Sequence, residues 1–164
     1  MDKKKLCEEL VLLFDKELDD DAKRCSYGGE YIGFTFKEVQ QDIQSKEPGY
    51  DLIFDYFTDI YIYEVFNFCG CGCNGRMLQM ILKVLKCFET DNITNAPFLG
   101  MQAEDKYKEA FPNHDHDDKE FMLKWLDSVG LTDHGTSVYG CWLTDKGVLL
   151  KELLEIHLEN FQSL

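Results

Sequence analysis

Cationic residues are scarce in this chain of 164 residues: 17 Lys and Arg stand against 31 Asp and Glu, a formal charge of −14. Affinity for nucleic acid rests largely on neutralising phosphates with Lys and Arg, so binding to a phosphate backbone is disfavoured. Such a chain is drawn instead to basic protein surfaces, where its field speeds encounter. The plainer reading of the same charge is a surface that simply keeps the protein soluble. Long hydrophobic runs are missing too. No window approaches the roughly 18 apolar residues that span a bilayer, and no membrane association is expected. The start, MDKKKLCEELVLLFDKEL, is basic and then apolar. Glu8, Glu9 and Asp15 interrupt it and no small-residue cleavage site follows, so it does not read as a signal peptide and a cytoplasmic location is expected. Internal repeats and low-complexity tracts are absent.

Catalytic signatures are lacking as well. There is no nucleophile elbow, P-loop, dinucleotide fingerprint, H-E-x-x-H or C-x-x-C pair. No enzymatic activity is expected. The enzymatic alternatives are a zinc ion with an open position, assisted by an acid such as Asp133, and a Cys–His nucleophile pair.

A hydrophobic fraction of 45% and an aromatic fraction of 13% suffice for a core, in one domain or two small lobes sharing it. Leu6, Leu10, Leu13 and Leu18, with Phe14, mark one face of an amphipathic helix over 5–23. Thr35 and Glu38 form a capping box, with Phe34 placed to staple onto Val39, and a helix over about 36–45 follows. The segment from Tyr50 to Phe68 is β-branched and aromatic enough at its end for a strand. Asp51, Asp55 and Asp59 recur every four residues, however, and this favours a helix. GRMLQMILKVLKCFE is apolar almost all round and reads as a buried central helix. A short helix is expected over 101–111, then the polar break PNHDHDD. A helix over 118–129 is expected to bury Phe121, Met122, Trp125, Leu126 and Val129, with Gly130 stopping it. Two extended pieces follow, and Thr144 caps a last helix over about 145–161.

Cysteine is neither rare nor even in number: residues 7, 25, 69, 71, 73, 87 and 141 make seven. In a reducing compartment these are free thiols or metal ligands rather than disulfides, and neighbours in C-x-C cannot be joined without strain. In FNFCGCGCNGRM, Cys69, Cys71 and Cys73 are separated only by glycines. Structural zinc takes four Cys or His ligands in a tetrahedron. Glycine tolerates the backbone angles that bring neighbouring thiols round one ion, and the helix N-terminus near Gly75 stabilises thiolate charge. Three reduced thiols packed as small apolar groups are the alternative. A fourth ligand must come from His134, Cys141, His114, His116 or Cys87. Cys87 lies roughly 20 Å along a helix from Cys73 and reads as core. His114 and His116 alternate with Asp115 and Asp117 and read as a solvated loop.

The stretch FMLKWLDSVGLTDHGTSVYGCWLTDKGVLLKELL resembles the end of a winged-helix domain. A helix ends in Gly130-Leu131, a two-stranded wing spans 131–143, and Leu143-Thr144-Asp145-Lys146-Gly147 opens the last helix, with Trp142 and Leu143 anchoring the wing strand. The resemblance implies a mainly α fold, a helical bundle with a small two-stranded wing. It divides one compact domain, 1–164, into an N-terminal helical lobe of about 1–90 and a winged-helix-like lobe of about 117–164. CGCG together with LTDHGTSVYGCWLTDKG is, more narrowly, similar to small phage and prophage proteins, a group of accessory proteins that includes anti-CRISPR inhibitors. His134 belongs to the stretch that travels with CGCG in those proteins, so the resemblance favours it among these candidates as the ligand that joins Cys69, Cys71 and Cys73; a ligand there would clip the wing lobe to the N-terminal lobe.

Winged helices often bind DNA through cations on the recognition helix and wing. Here the helix before Gly130 sets Lys119 and Lys124 against Asp117, Asp118, Glu120 and Asp127, and residues 131–143 contain no Lys or Arg. The expected function is therefore a zinc-stabilised, acidic inhibitor acting in the host cytoplasm on a basic surface of a nucleic-acid-handling complex. The most concrete target is a type II CRISPR effector nuclease whose loading of target DNA is blocked. A winged-helix transcriptional regulator is the alternative.

Overall fold

The computed structural model describes residues 1–17, 35–60, 75–88, 105–134 and 141–162. The chain groups into two compact units, Met1–Asn74 with Glu152–Leu164, and Gly75–Lys151. The described residues are mainly helical, with one two-stranded antiparallel sheet, as the sequence implied. None of their helices is long and apolar enough to cross a membrane.

The first unit contains α1 (Lys3–Glu17), α2 (Phe36–Ile43) and α3 (Tyr50–Ile60), which pack against one another. On α1 the helical repeat brings Leu6, Leu10 and Phe14 into the core, with Cys7 and Val11 beside them. Leu13 is half-buried at the margin of that face. The α2 capping box is complete: Thr35 Oγ1 accepts from the Glu38 amide (3.3 Å), and the Glu38 carboxylate accepts from the Thr35 amide (2.7 Å). Its buried face, Phe36 and Val39, meets an aromatic group in which Phe57 lies 5.2 Å from Phe14 and 6.5 Å from Phe36 between ring centroids. The four-residue Asp spacing of α3 works as a helix: Asp51 and Asp55 face solvent while Ile53, Phe54, Tyr56 and Phe57 are buried. Lys3 ties α1 to α3 by reaching Asp51 (2.7 Å) over the Phe54 ring (4.8 Å). Residues 18–34 and 61–74 lie outside the described residues. They include the expected end of the first helix, Phe34, and the part of the aromatic segment that could have been a strand.

The second unit contains α4 (Gly75–Leu85), a turn over 86–88, α5 (105–110), α6 (His116–Ser128), β1 (Thr132–Asp133) and β2 (Trp142–Leu143). Helix α4 is two-sided rather than buried all round. Leu78, Ile81, Leu82, Val84 and Leu85 are inside, whereas Met77 is 40% exposed and Gln79, Lys83 and Lys86 face solvent. Lys83 spans the gap to α5, donating to the Ala110 carbonyl (2.6 Å) and lying over the Phe111 ring (4.8 Å). Tyr107, fully buried between Phe88 and Phe111, donates its hydroxyl to the Lys119 carbonyl of α6 (3.1 Å). Helix α6 begins two residues earlier than the polar run suggested, because Asp115 caps it by accepting from the Asp118 amide (2.8 Å).

Where α6 ends, one glycine and one carbonyl organise the wing. Gly130 takes φ +74°. Its amide reaches Asp127 O (2.9 Å) and the Leu131 amide reaches Leu126 O (3.0 Å), the paired bonds of a Schellman stop. The chain then enters β1, which pairs Thr132 with Leu143 and Asp133 with Trp142 of β2. Leu143 is buried, whereas Trp142 is half-buried, so the anchoring falls mainly on Leu143 and Cys141. Thr144 closes the loop: its amide donates to Leu131 O (3.1 Å) and its hydroxyl to Gly130 O (2.7 Å), while Oγ1 accepts from the Gly147 amide (3.1 Å). That last bond caps α7 (Asp145–Gln162), which begins in the second unit and whose later residues belong to the first.

A Cβ placed on Gly147 would stand 2.0 Å from the Leu131 oxygen, a backbone atom that no rotamer change can move. Gly147→Ala should therefore cost about 1–3 kcal/mol through overpacking, at or above the ~1 kcal/mol expected when Thr144→Ala removes the cap. Urea denaturation of both variants checks the order. A Gly147→Ala protein as stable as the parent would show that the turn relaxes freely.

Candidate functional site

Exposed charged and aromatic side chains and the imidazole of His134 lie on α6 and at the end of the strand that follows it. Leu123 and Leu126 form the inward side of α6 and are buried. The expected stripe was placed too far round the helix. Met122, Trp125 and Val129 are only half-buried, and Phe121 is 74% exposed. The difference follows from helix geometry. At about 100° per residue, Phe121 stands about 200° from Leu123 and cannot share its side.

The electrostatics of this helix are acidic where it meets solvent. Asp115, Asp117 and Asp118 are exposed, and the two aspartates of the first turn suit the positive end of the helix. Lys124 is spent within the helix, its ammonium 2.6 Å from Glu120 Oε1. That hydrogen bond lowers the Glu120 carboxyl and raises the Lys124 ammonium from their ordinary values. His116 approaches the same carboxylate at 3.6 Å. Lys119, four residues before Leu123, lies towards the buried side and is half-buried. Nothing in the wing restores positive charge, since residues 131–143 contain neither Lys nor Arg.

His134, the expected zinc ligand that the structure describes, leaves β1 beside two acids. Its Nε2 lies 3.5 Å from Asp127 Oδ2 at the end of α6, with the imidazole side chain 30% exposed. Its amide donates to Asp133 Oδ1 (2.7 Å). An imidazole beside a carboxylate is the usual arrangement of a ligating histidine, in which the acid fixes the ring. Cys69, Cys71 and Cys73 lie outside the described residues, as does Cys25. Among the described residues no group of three or more His, Cys, Asp or Glu is placed to hold a metal ion.

The remaining donors separate by burial. Cys7, Cys87 and Cys141 are free, buried thiols. Burial pushes Cys7 and Cys141 up to about 12 and also raises Cys87. Thiols held neutral in this way pack as small apolar groups and are poor nucleophiles. Cys87 donates to the Lys83 carbonyl (3.3 Å) and Cys7 approaches the Tyr50 carbonyl (3.6 Å), so each thiol is directed to backbone rather than to an imidazole. The core placement expected for Cys87 holds. His114 is exposed, with its ring edge-on to Phe111 at 5.4 Å.

In the first unit, Asp55 lies near two other titratable groups. Burial, then the charge of Asp55, raises the Asp59 carboxyl. Burial lowers His157, an effect that Asp55 partly opposes. Both shifts arise mainly from desolvation, the ordinary consequence of packing two polar groups at the margin of a core.

The feature that pattern reading missed is the exposure of Phe121. The available signal was Leu123, which with Leu126 defines an inward stripe that turns Phe121 outwards. No family model matches the chain, and no curated protein or solved structure matches it.

Proposed function

We propose that this protein is a phage-type, acidic, zinc-stabilised interaction module that inhibits a host nucleic-acid-handling complex by covering a basic surface of it. The most concrete target is a type II CRISPR effector nuclease, whose positively charged channel must receive target DNA before cleavage. The observation that carries the reading is the charge of the helix and wing. The element that corresponds to a recognition helix exposes Asp117 and Asp118 and neutralises Lys124 on Glu120, and the wing beside it has no cation. A duplex reader needs the reverse, cations on both parts. A wing built this way serves as a scaffold for a face complementary to basic protein. The order of helix, antiparallel wing and Thr144-capped helix favours the second reading, a winged-helix transcriptional regulator. Its charge opposes that reading.

Within the same proposal Cys69, Cys71, Cys73 and His134 hold a structural zinc ion. One observation supports His134 in this set: its imidazole is partly exposed next to the carboxylate of Asp127, the kind of partner that orients a ligating ring. When bound, the ion supplies folding free energy rather than chemistry, because the site does not exist in the unfolded chain.

Metal analysis of protein purified without chelators should find about one zinc ion per chain. Cys71→Ser and His134→Ala should each lose it together with thermal stability. A wild-type protein that carries no metal even when purified with zinc present would exclude the zinc site. For the inhibitory role, saturating protein added to a guide-loaded type II effector nuclease should abolish the mobility shift of its target duplex and the cleavage that follows. Undiminished loading and cleavage would exclude that target.

A further inference from the structure

Helix α6 carries a large aromatic side chain at the centre of its solvated side. Phe121 lies about 200° round the helix from Leu123 and about 140° from Leu126, hence opposite both buried leucines, and it is the most exposed large apolar side chain of the described residues at 74%. One turn before it stand Asp117 and Asp118, both exposed, and neither takes part in an ion pair among the described residues. One turn after it stand half-buried Trp125 and exposed Lys124, the latter tied to Glu120. Single apolar residues on a surface are commonplace. Here the ring is adjoined by a partly exposed tryptophan and by two exposed acids that take part in no ion pair among the described residues.

We propose that this side of α6, centred on Phe121, is the docking surface for a basic protein segment. The ring enters an apolar socket whose Lys or Arg rim meets Asp117 and Asp118. The proposal rests on the reading above that the partner is a basic protein surface, and it names the contact on this side. Charge selects the occupant. A second copy would bring the same aspartates together in a chain of net charge −14, and a phosphate backbone or an anionic membrane would be repelled in the same way. A basic segment relieves the excess acid and covers the ring. It also matches the anatomy of protein interfaces, with an aromatic anchor at the centre and charge at the rim.

The test uses the full-length protein and a defined probe, a synthetic helical peptide with Leu at i, i+3, i+4 and i+7 and Lys elsewhere, alongside its Glu counterpart. The Lys peptide should bind with backbone amide shifts centred on α6, and the Glu peptide should not bind. Phe121→Ala should weaken the Lys peptide roughly tenfold or more, and Asp117→Asn should weaken it less and reduce its salt dependence. Phe121→Ala should keep the parent's melting temperature, because the ring is exposed and Ala favours the helix. No binding of the Lys peptide, shifts located elsewhere, equal binding of the Glu peptide, or unchanged affinity in Phe121→Ala would each overturn the docking surface. So would a wild-type dimer in sedimentation that dissociates in Phe121→Ala. Nuclease inhibition separates this proposal from the one beneath it. Full inhibition by Phe121→Ala would leave the inhibitory reading in place and sink this surface. Phe121-dependent peptide binding without inhibition by the parent would keep the surface and sink that target.

Discussion

The wing end of the molecule depends on the contact between the Gly147 backbone and the Leu131 carbonyl. Helix α7 can start where it does only because residue 147 has no side chain, since any Cβ would fall 2.0 Å from that oxygen. The same carbonyl accepts from the Thr144 amide, so one oxygen receives the chain as it returns from the wing. Thr144 then joins two helices at once. It donates to Gly130 at the stop of α6 and accepts from Gly147 at the start of α7. With Gly130 in the left-handed region, these bonds set where β1 leaves and where β2 arrives. The motif LTDKG therefore has a mechanical meaning independent of any family: its threonine caps, its glycine permits the close approach, and its leucine is buried.

That frame holds a helix whose outer side does not suit phosphate. The acids of the first turn of α6 stabilise the helix through its dipole, so Asp117 and Asp118 have a structural reason to be acidic. Their neighbours lack a matching positive charge. Lys124 is held by Glu120, Lys119 lies towards the core, and the wing offers His134 beside Asp127 in place of a lysine or arginine. On the proposed reading, a helix and wing that place their charge this way compete for cationic ground that normally receives phosphate.

Local chemistry made much of this legible. The Thr35–Glu38 box, the Gly130 stop, the Thr144 cap and the Asp51–Asp55–Asp59 spacing each involve residues within a few positions of one another, where the physics is decided by neighbours in the chain. The errors concern choices made by partners distant in sequence. Two apolar stripes were available on α6, one through Met122, Trp125 and Val129 and one through Leu123, with Leu126 common to both. Only the packing of the second unit decides between them. Likewise α4 looked apolar all round because Met77 and Met80 are as hydrophobic as Leu78 and Ile81, although the fold leaves Met77 at the surface. Cys87 and Cys141 are buried, which a sequence does not display. His134 stood out in the sequence only through the resemblance, and its contact with Asp127 is made by the fold. Cys69, Cys71 and Cys73 lie outside the described residues, so the metal reading still rests on their spacing.

The proposed function requires that the acidic helix and wing do not bind DNA. Fluorescence anisotropy of labelled duplex DNA titrated with the purified holo-protein, from low to physiological salt, tests it most directly. The account predicts no saturable binding at any salt concentration in that range, because acids outnumber cations on the helix, Lys124 is held by Glu120 and the wing has no Lys or Arg to displace condensed counterions. Saturable binding that weakens steeply as salt rises would contradict it, and would identify the wing as a nucleic-acid contact after all.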